Sequence, residues 1–278
     1  MQKGNLAIAN GKFDDAERLF TEGVRLDAYD IENISKLAEF LYYQNKQQKA
    51  IIYLEKALAL AKSDELIALF CNNLGGTCMK INNMRDSERY YLQSYGIRER
   101  LAQSNPQQFE PYLAGTANNL GEFYRVNNES SKAERYYLQS YGIYERLTQS
   151  NPYQFEPDLA GTAMNLGIFY SSLNNMPDSE RYYLQSYGII ERLAQSNPHQ
   201  FESDLATTAM NLGIFYKALN KMPDSERYFL QSYGIYERLA QSNPQQFEPD
   251  LASLLNTLGY FIKIVTNWIR HSPCIIVL

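Results

Sequence analysis

Apolar residues recur along most of the chain at helical spacing. In LAGTAMNLGIFYSSLN, residues 159–174, they stand at Ala163, Leu166, Gly167 and Tyr170, three or four positions apart. This spacing places them on one face of an α-helix, with polar residues on the other faces. The pattern therefore predicts an amphipathic helix over 159–174.

A second amphipathic segment, PDSERYYLQSYGIIERLAQS, follows at 177–196. Pro177 suits the first turn of a helix, where its missing N–H is not needed. Asn197 precedes Pro198 and is disfavoured from the helical region, so the helix should end near Ser196. We predict a helical hairpin, followed by a short loop with the pattern NPxxF that leads to the next hairpin.

The hairpin is repeated. AMNLGIFY occurs at 163–170 and again at 209–216. ERYYLQSYGI begins at Glu88, Glu134 and Glu180, and the variant ERYFLQSYGI begins at Glu226, always 46 residues further on. Upstream the period shortens, because Ala16 and Ala50 occupy matching places 34 residues apart. A period of this length is the signature of a stacked repeat protein.

A single helical hairpin cannot close a core, but stacked hairpins bury their apolar faces on one another. Glycine inside a helix costs about 1 kcal/mol relative to alanine, so a repeated glycine needs a compensating contact. We predict that the partner helix approaches closely at the glycine of each NLG-type motif, which is Gly75, Gly121, Gly167, Gly213 or Gly259.

These residues resemble the tetratricopeptide repeats. The matching pattern is Leu-Gly-x-x-Tyr on the first helix and a small residue plus Glu at the start of the second. The longer repeats are similar to those of kinesin light chain and its bacterial relatives. The resemblance implies an all-α, right-handed solenoid of antiparallel helix pairs. We place a repeat array over 1–264, with units at about 1–29, 31–64, 68–104, 114–150, 160–196 and 206–242 and a final helix at 252–264.

The segment 265–278 departs from the repeat and is strongly apolar. A solenoid normally ends in a polar cap. The tail could cover the last helix with Trp268 and Ile269, form an oligomer contact, or be a truncated or frame-shifted end.

Composition excludes several classes of protein. The 278 residues carry a formal net charge of −5 and are 45% hydrophobic, so we expect a folded protein without a nucleic-acid surface. No apolar run reaches the length of a membrane span, and three cysteines do not make a disulfide framework. A cytoplasmic protein that contacts no membrane is expected.

We find no candidate catalytic residues and predict neither an enzyme nor a cofactor or metal. His199 and His271 are the two histidines, and His199 falls in an inter-repeat loop. Cys71 and Cys78 share a helix face, which favours core packing over metal or redox chemistry. The recurring tyrosines are at helical spacing, which favours packing over phosphorylation or base stacking.

The first helices should line a concave groove, as the resemblance implies. An asparagine recurs there at Asn73, Asn119, Asn165 and Asn211. A side-chain amide both donates and accepts hydrogen bonds, so this row could hold the main chain of a peptide. The alternatives are that each amide bonds a neighbouring helix, or that it was merely copied with the repeat.

Residues beside this row vary while the framework is copied, as expected for reading different ligand side chains. The candidates for specificity are Glu122, Arg125, Met164, Ile168, Met210, Ile214 and Lys217. So few cations disfavour the basic clamp with which related chaperone-binding repeats hold acidic tails.

The sequence therefore predicts a non-catalytic scaffold that binds an extended peptide or a partner helix in the groove. One alternative is the sensor or scaffold portion of a larger signalling protein. The other is a structural protein that self-assembles through the tail; the oligomeric state stays open.

Overall fold

The computed structural model describes residues 2–9 and 11–271, with side chains for 4–7 and 11–258. Helices and short turns make up this part of the chain, and no strand occurs in it. The helices are α1 Gln2–Ala9, α2 Phe13–Leu26, α3 Ile31–Tyr43, α4 Gln47–Leu60, α5 Asp64–Lys80, α6 Met84–Ser104, α7 Pro106–Val126, α8 Ser130–Ser150, α9 Pro152–Ser172, α10 Met176–Ser196, α11 Pro198–Ala218, α12 Met222–Ser242 and α13 Pro244–His271.

The chain divides into two compact units. Unit 1 is Met1–Leu147 and unit 2 is Thr148–Leu278. In unit 1, α1 packs on α2, α3 on α4, and α5 on α6, while α4 also packs on α5 and α6 on α7. In unit 2, each helix from α9 to α13 packs on the next. Both units are therefore stacks of helical hairpins, and the predicted all-α solenoid class is confirmed.

The turns of five hairpins, from α3–α4 to α11–α12, are built on asparagine, whereas the α1–α2 turn has Gly11 in the left-handed region. Asn82 and Asn174 adopt φ of 60° and 57°, in the left-handed region, as do Asn45, Asn128 and Asn220. Asparagine tolerates this conformation better than most residues. The next residue, such as Asn175, accepts a hydrogen bond from the backbone N–H of Asp178 and caps the second helix.

The predicted NPxxF loop is wrong. α9 begins at Pro152 rather than at 159, and α7 and α11 likewise begin at their prolines. Proline fits the first helical position, and Asn151 accepts a hydrogen bond from the N–H of Gln154 at 3.4 Å. The first helices therefore start eight residues before the predicted repeats at 114, 160 and 206.

The final helix also differs from the prediction. It begins at Pro244 and ends at His271, whereas 252–264 was predicted. The tail therefore continues this helix as far as His271. The predicted covering role of Trp268 and Ile269, and the contact at Gly259, lie outside the described side chains.

The predicted close approach at the repeated glycine is confirmed at four positions. A Cβ added to Gly75, Gly121 or Gly167 would lie 2.6, 2.5 or 2.8 Å from a ring carbon of Tyr91, Tyr137 or Tyr183, and Gly213 has the same relation to Phe229. Real Cβ atoms do not come this close, so an aromatic ring of the second helix takes the place of the side chain.

A serine on the second helix strengthens the same contact. The hydroxyls of Ser87, Ser179 and Ser225 donate to the carbonyl oxygens of Gly75, Gly167 and Gly213, each at 2.8 Å. Aromatic stacking extends it, because Tyr216 lies parallel to Tyr228 with ring centroids 5.6 Å apart. Packing therefore accounts for these tyrosines.

Candidate functional site

A groove of about 480 Å³ lies within unit 1, on the first helices α3, α5 and α7. We call this cavity the groove. Side chains of α3 form one wall, and α5 and α7 form the other, with one tyrosine of α6 at the floor. The polar and aromatic lining residues are Ser35, Glu39, Tyr42, Tyr43, Asn72, Asn73, Tyr91 and Asn119.

The groove exists because Gly76 lacks a side chain. The residues 46, 92 and 138 positions further on are Glu122, Ile168 and Ile214. A Cβ on Gly76 would lie 3.1 Å from the hydroxyl oxygen of Tyr91. The glycine therefore leaves open a space that a larger side chain takes in the other repeats.

Tyr91 presents a hydroxyl donor at this space. Its residue is only 5% exposed, and its hydroxyl has no hydrogen-bond partner among the described residues. In the next repeat, the matching Tyr137 donates to the Glu122 carboxylate at 2.7 Å. Burial raises the pKa of Tyr91, so its hydroxyl stays protonated and can donate.

Two members of the asparagine row bond side chains of a neighbouring first helix. The Asn119 amide donates to the Asn72 side-chain oxygen at 3.0 Å, and the Asn211 amide approaches the Met164 sulfur at 3.5 Å. Asn73 is exposed in the groove. One such bond leaves donor and acceptor capacity on each amide.

Comparisons with known proteins identify two of the repeats. The tetratricopeptide-repeat family matches residues 159–199 and 205–245, which span α9–α10 and α11–α12. The chain contains tetratricopeptide repeats. The sequence matches no curated protein.

Solved structures share the fold of this tetratricopeptide-repeat protein. BtubC from P. vanneervenii is 19% identical with a TM-score of 0.62, covering 84% of this chain and 91% of its own. A Podospora anserina kinesin light chain candidate with nearly identical repeats is 15% identical with a TM-score of 0.58, covering 77% and 97%. PilW, a type IV pilus biogenesis factor, is 18% identical with a TM-score of 0.59, covering 91% and 96%.

Two predicted specificity residues of the repeat protein are bonded to each other. Arg125 forms an ion pair with Glu122 at 2.6 Å, and Tyr137 donates to the same carboxylate. Burial opposes the charge of Glu122, but the hydrogen bonds from Arg125 and Tyr137 outweigh it and lower its pKa. In its own repeat, this pair therefore fills the space that Gly76 leaves open in the preceding repeat.

The predicted residues of unit 2 lie on α9 and α11. Met164 and Ile168 are half-buried and pack against the core around Leu212. Asn165, Met210 and Lys217 are also half-buried, and Ile214 is 42% exposed.

Sequence reasoning placed Asn73 and Asn119 but missed the residues that open the groove. Gly76 stands out in the sequence only when it is aligned with the matching residues Glu122, Ile168 and Ile214 of the other repeats.

A second cavity, of about 450 Å³, lies beside the groove and shares Glu39 and Tyr43 with it. Tyr43 is 72% exposed, so these cavities flank a projecting aromatic side chain.

The described residues hold no group of three His, Cys, Asp or Glu suited to a metal ion. Cys71 and Cys78 are buried free thiols, and burial raises the pKa of each to about 11. His199 is exposed in the first turn of α11. Among the described helices, none combines the length and apolar content that crossing a bilayer requires.

Proposed function

We propose that this tetratricopeptide-repeat protein is a non-catalytic scaffold that binds a protein partner along its first helices. The observation that carries the proposal is the groove, which combines the open space at Gly76, the hydroxyl of Tyr91 and the amides of Asn73 and Asn119. An extended peptide fits this set, because its main chain offers both carbonyl acceptors and N–H donors.

The chemistry of the groove suits a neutral or basic peptide. Tyr91 would donate to a main-chain carbonyl at the place that Glu122 fills in the next repeat. Tyr42 and Tyr43 form an edge-to-face pair with centroids 5.5 Å apart and offer apolar contact area. Glu39 supplies negative charge on the same wall. The candidate residues on α9 and α11 form a separate surface within unit 2, which would adjust specificity there.

A variant copied from the sister repeat tests the proposal. Gly76→Glu installs the residue found at position 122, with a partner ready in the Tyr91 hydroxyl. We expect a stable protein whose groove is filled. Gly96→Ala is the matched control, because a Cβ at Gly96 meets nothing within 4 Å.

Peptides selected from a displayed random library on the native protein would be synthesised, and their binding measured by fluorescence anisotropy. Binding should survive in Gly96→Ala and be lost in Gly76→Glu and in Asn73→Ala/Asn119→Ala. Equal binding to Gly76→Glu would place the peptide elsewhere. A selection that enriches no peptide would argue against extended-peptide binding.

A further inference from the structure

Arg98 on α6 is a buried cation. It is 8% exposed and is the one charged side chain among the buried residues that the structure describes. Burial lowers its pKa to about 10, so the guanidinium remains charged at neutral pH. Buried charges in proteins are normally paired with an opposite charge, because leaving one unpaired is costly.

No carboxylate pairs with Arg98 among the described residues. One guanidinium nitrogen, Nη1, donates to the Tyr112 carbonyl oxygen at 2.9 Å and to the Thr116 hydroxyl. The nitrogens Nε and Nη2 make no hydrogen bond with the described residues. Two donors in the geometry that recognises a carboxylate therefore remain available.

Arg98 lines a cavity of about 200 Å³ formed where α5 begins, α6 ends and α7 begins. The other lining residues are mostly apolar and include Leu66, Leu101 and Phe109, and the polar ones are Glu65 and Gln108. Leu69 and Tyr112 stand at the opening, being 39% and 57% exposed. An apolar cavity of about 150 Å³ holds a benzene-sized molecule, so a small ligand fits this space.

The sister repeats show that the fold does not need a cation here. The matching residues are Tyr144, Ile190 and Tyr236. The Tyr144 hydroxyl donates to the Pro111 carbonyl oxygen at 3.2 Å, and the Tyr236 hydroxyl bonds Thr207 at 2.7 Å. Neutral side chains satisfy this position in three repeats, which singles out Arg98 as the exception.

We propose that the Arg98 cavity binds the carboxylate of a small amphipathic ligand. The carboxylate would accept from Nε and Nη2 of Arg98, and the apolar body would lie against Leu66 and Phe109. This chemistry has two sources, a free monocarboxylic acid or the C-terminal residue of a peptide with an apolar side chain. The cavity shares Leu69 with the groove but none of its polar residues, and the proposal does not depend on the proposed function.

Calorimetric titration of the full chain with hexanoate and with hexanol tests the charge requirement. Hexanoate should bind saturably, whereas hexanol, which lacks the charge, should not. The variant Arg98→Tyr copies Tyr144 and should weaken hexanoate binding at least about tenfold. Arg98→Ile, a copy of Ile190, provides a second folded variant. Arg100→Gln is the control, because Arg100 is exposed and paired with Asp64 at 2.8 Å.

Two short peptides ending in leucine, one with a free carboxylate and one amidated, distinguish the sources. Tighter binding of the free peptide than of hexanoate indicates a peptide C-terminus, and binding of hexanoate alone indicates a free acid. Both results support the carboxylate site. Absence of saturable binding by any carboxylate would overturn the proposal, as would equal binding to native protein, Arg98→Tyr and Arg98→Ile. Groove peptides should bind Arg98→Tyr normally, so the two proposals fail independently.

Discussion

The α5–α6 hairpin of unit 1 and the α11–α12 hairpin of unit 2 use one framework. Gly75 lies under the ring of Tyr91, and Gly213 lies under the ring of Phe229. In each hairpin a serine of the second helix donates to the carbonyl oxygen of this glycine. The second helices both have 21 residues. The shared residues are those that set the distance between the two helices.

The two hairpins differ at positions beside this framework. Gly76 replaces Ile214, Arg98 replaces Tyr236, and the thiols of Cys71 and Cys78 replace Ala209 and Tyr216. Gly76 and Arg98 each line a cavity. Interhelical packing therefore constrains a small set of residues, and substitutions next to that set can open binding sites without altering the fold.

Filling the glycine contact should have the largest effect. Gly75→Ala or Gly213→Ala would drive a Cβ into an aromatic ring, and overpacking of this kind costs about 2 kcal/mol of unfolding free energy. The controls are Gly96→Ala and Gly234→Ala on α6 and α12, where a Cβ meets nothing within 4 Å. These should raise stability by up to about 1 kcal/mol. The unfolding free energy of all four variants is measured by urea unfolding, monitored by circular dichroism. An equal gain in stability at all four positions would contradict the packing argument.

Alkaline pH should separate the two hairpins through the thiols of α5. Burial raises the pKa of Cys71 and Cys78 from 9.0 to about 11, so the folded state holds protons that the unfolded state has released. Stability from this source is present below pH 9 and is lost as pH rises toward 11, by on the order of 2 kcal/mol for each thiol.

Urea midpoints measured across this pH range should fall less steeply for Cys71→Ala/Cys78→Ala than for the native chain. Parallel slopes would mean that the thiols do not contribute. Half-buried tyrosines such as Tyr187, whose pKa partial burial raises to about 12, give the same background in both proteins.

Removing the serine hydroxyl should have a smaller effect that is equal in the two hairpins. Ser87→Ala and Ser225→Ala each delete a 2.8 Å hydrogen bond to a glycine carbonyl, and each should cost about 1 kcal/mol. Ala133 occupies the same place in α8, so alanine is compatible with the helix contact. An unchanged urea midpoint would show that the carbonyl needs only its bond within the helix.

The exposed ion pairs should matter least. Arg238 pairs with Glu202 at 2.7 Å in unit 2, as Arg100 pairs with Asp64 in unit 1. Exposed pairs contribute roughly 0.5 kcal/mol or less and are screened by salt. Arg238→Gln should therefore lower stability slightly in dilute buffer and not in concentrated sodium chloride. A loss that persists at high salt would indicate packing by the arginine stem instead.

The sequence was sufficient for the fold and for the role of the repeated glycine, because both depend on local periodicity. It misplaced the start of the first helices, since the NPxxF segment contains residues typical of loops. Asn151 and Pro152 are in fact a helix cap and a first helical residue. Pattern alone could not separate these roles.

The candidate sites were less predictable. The asparagine row was visible by repetition, but the pairing of Gly76 with Tyr91 joins two helices. Arg98 lies in a polar stretch, YGIRERLAQS, that reads as an exposed face. Its burial results from how α5 and α7 pack around α6, which no periodicity of α6 alone reveals.

The left-handed asparagine turns affect how the number of repeats can change during evolution. Each of these turns is followed by a second helix, and the second helices α6, α8, α10 and α12 have the same length. The backbone geometry at the end of one 46-residue segment therefore matches the geometry at the start of the next. Near-identical segments such as AMNLGIFY favour unequal recombination at the level of the gene. Whole segments can then be gained or lost with intact turns at both junctions. The number of repeats is thereby a variable on which selection can act, separately from the side chains that any one repeat presents.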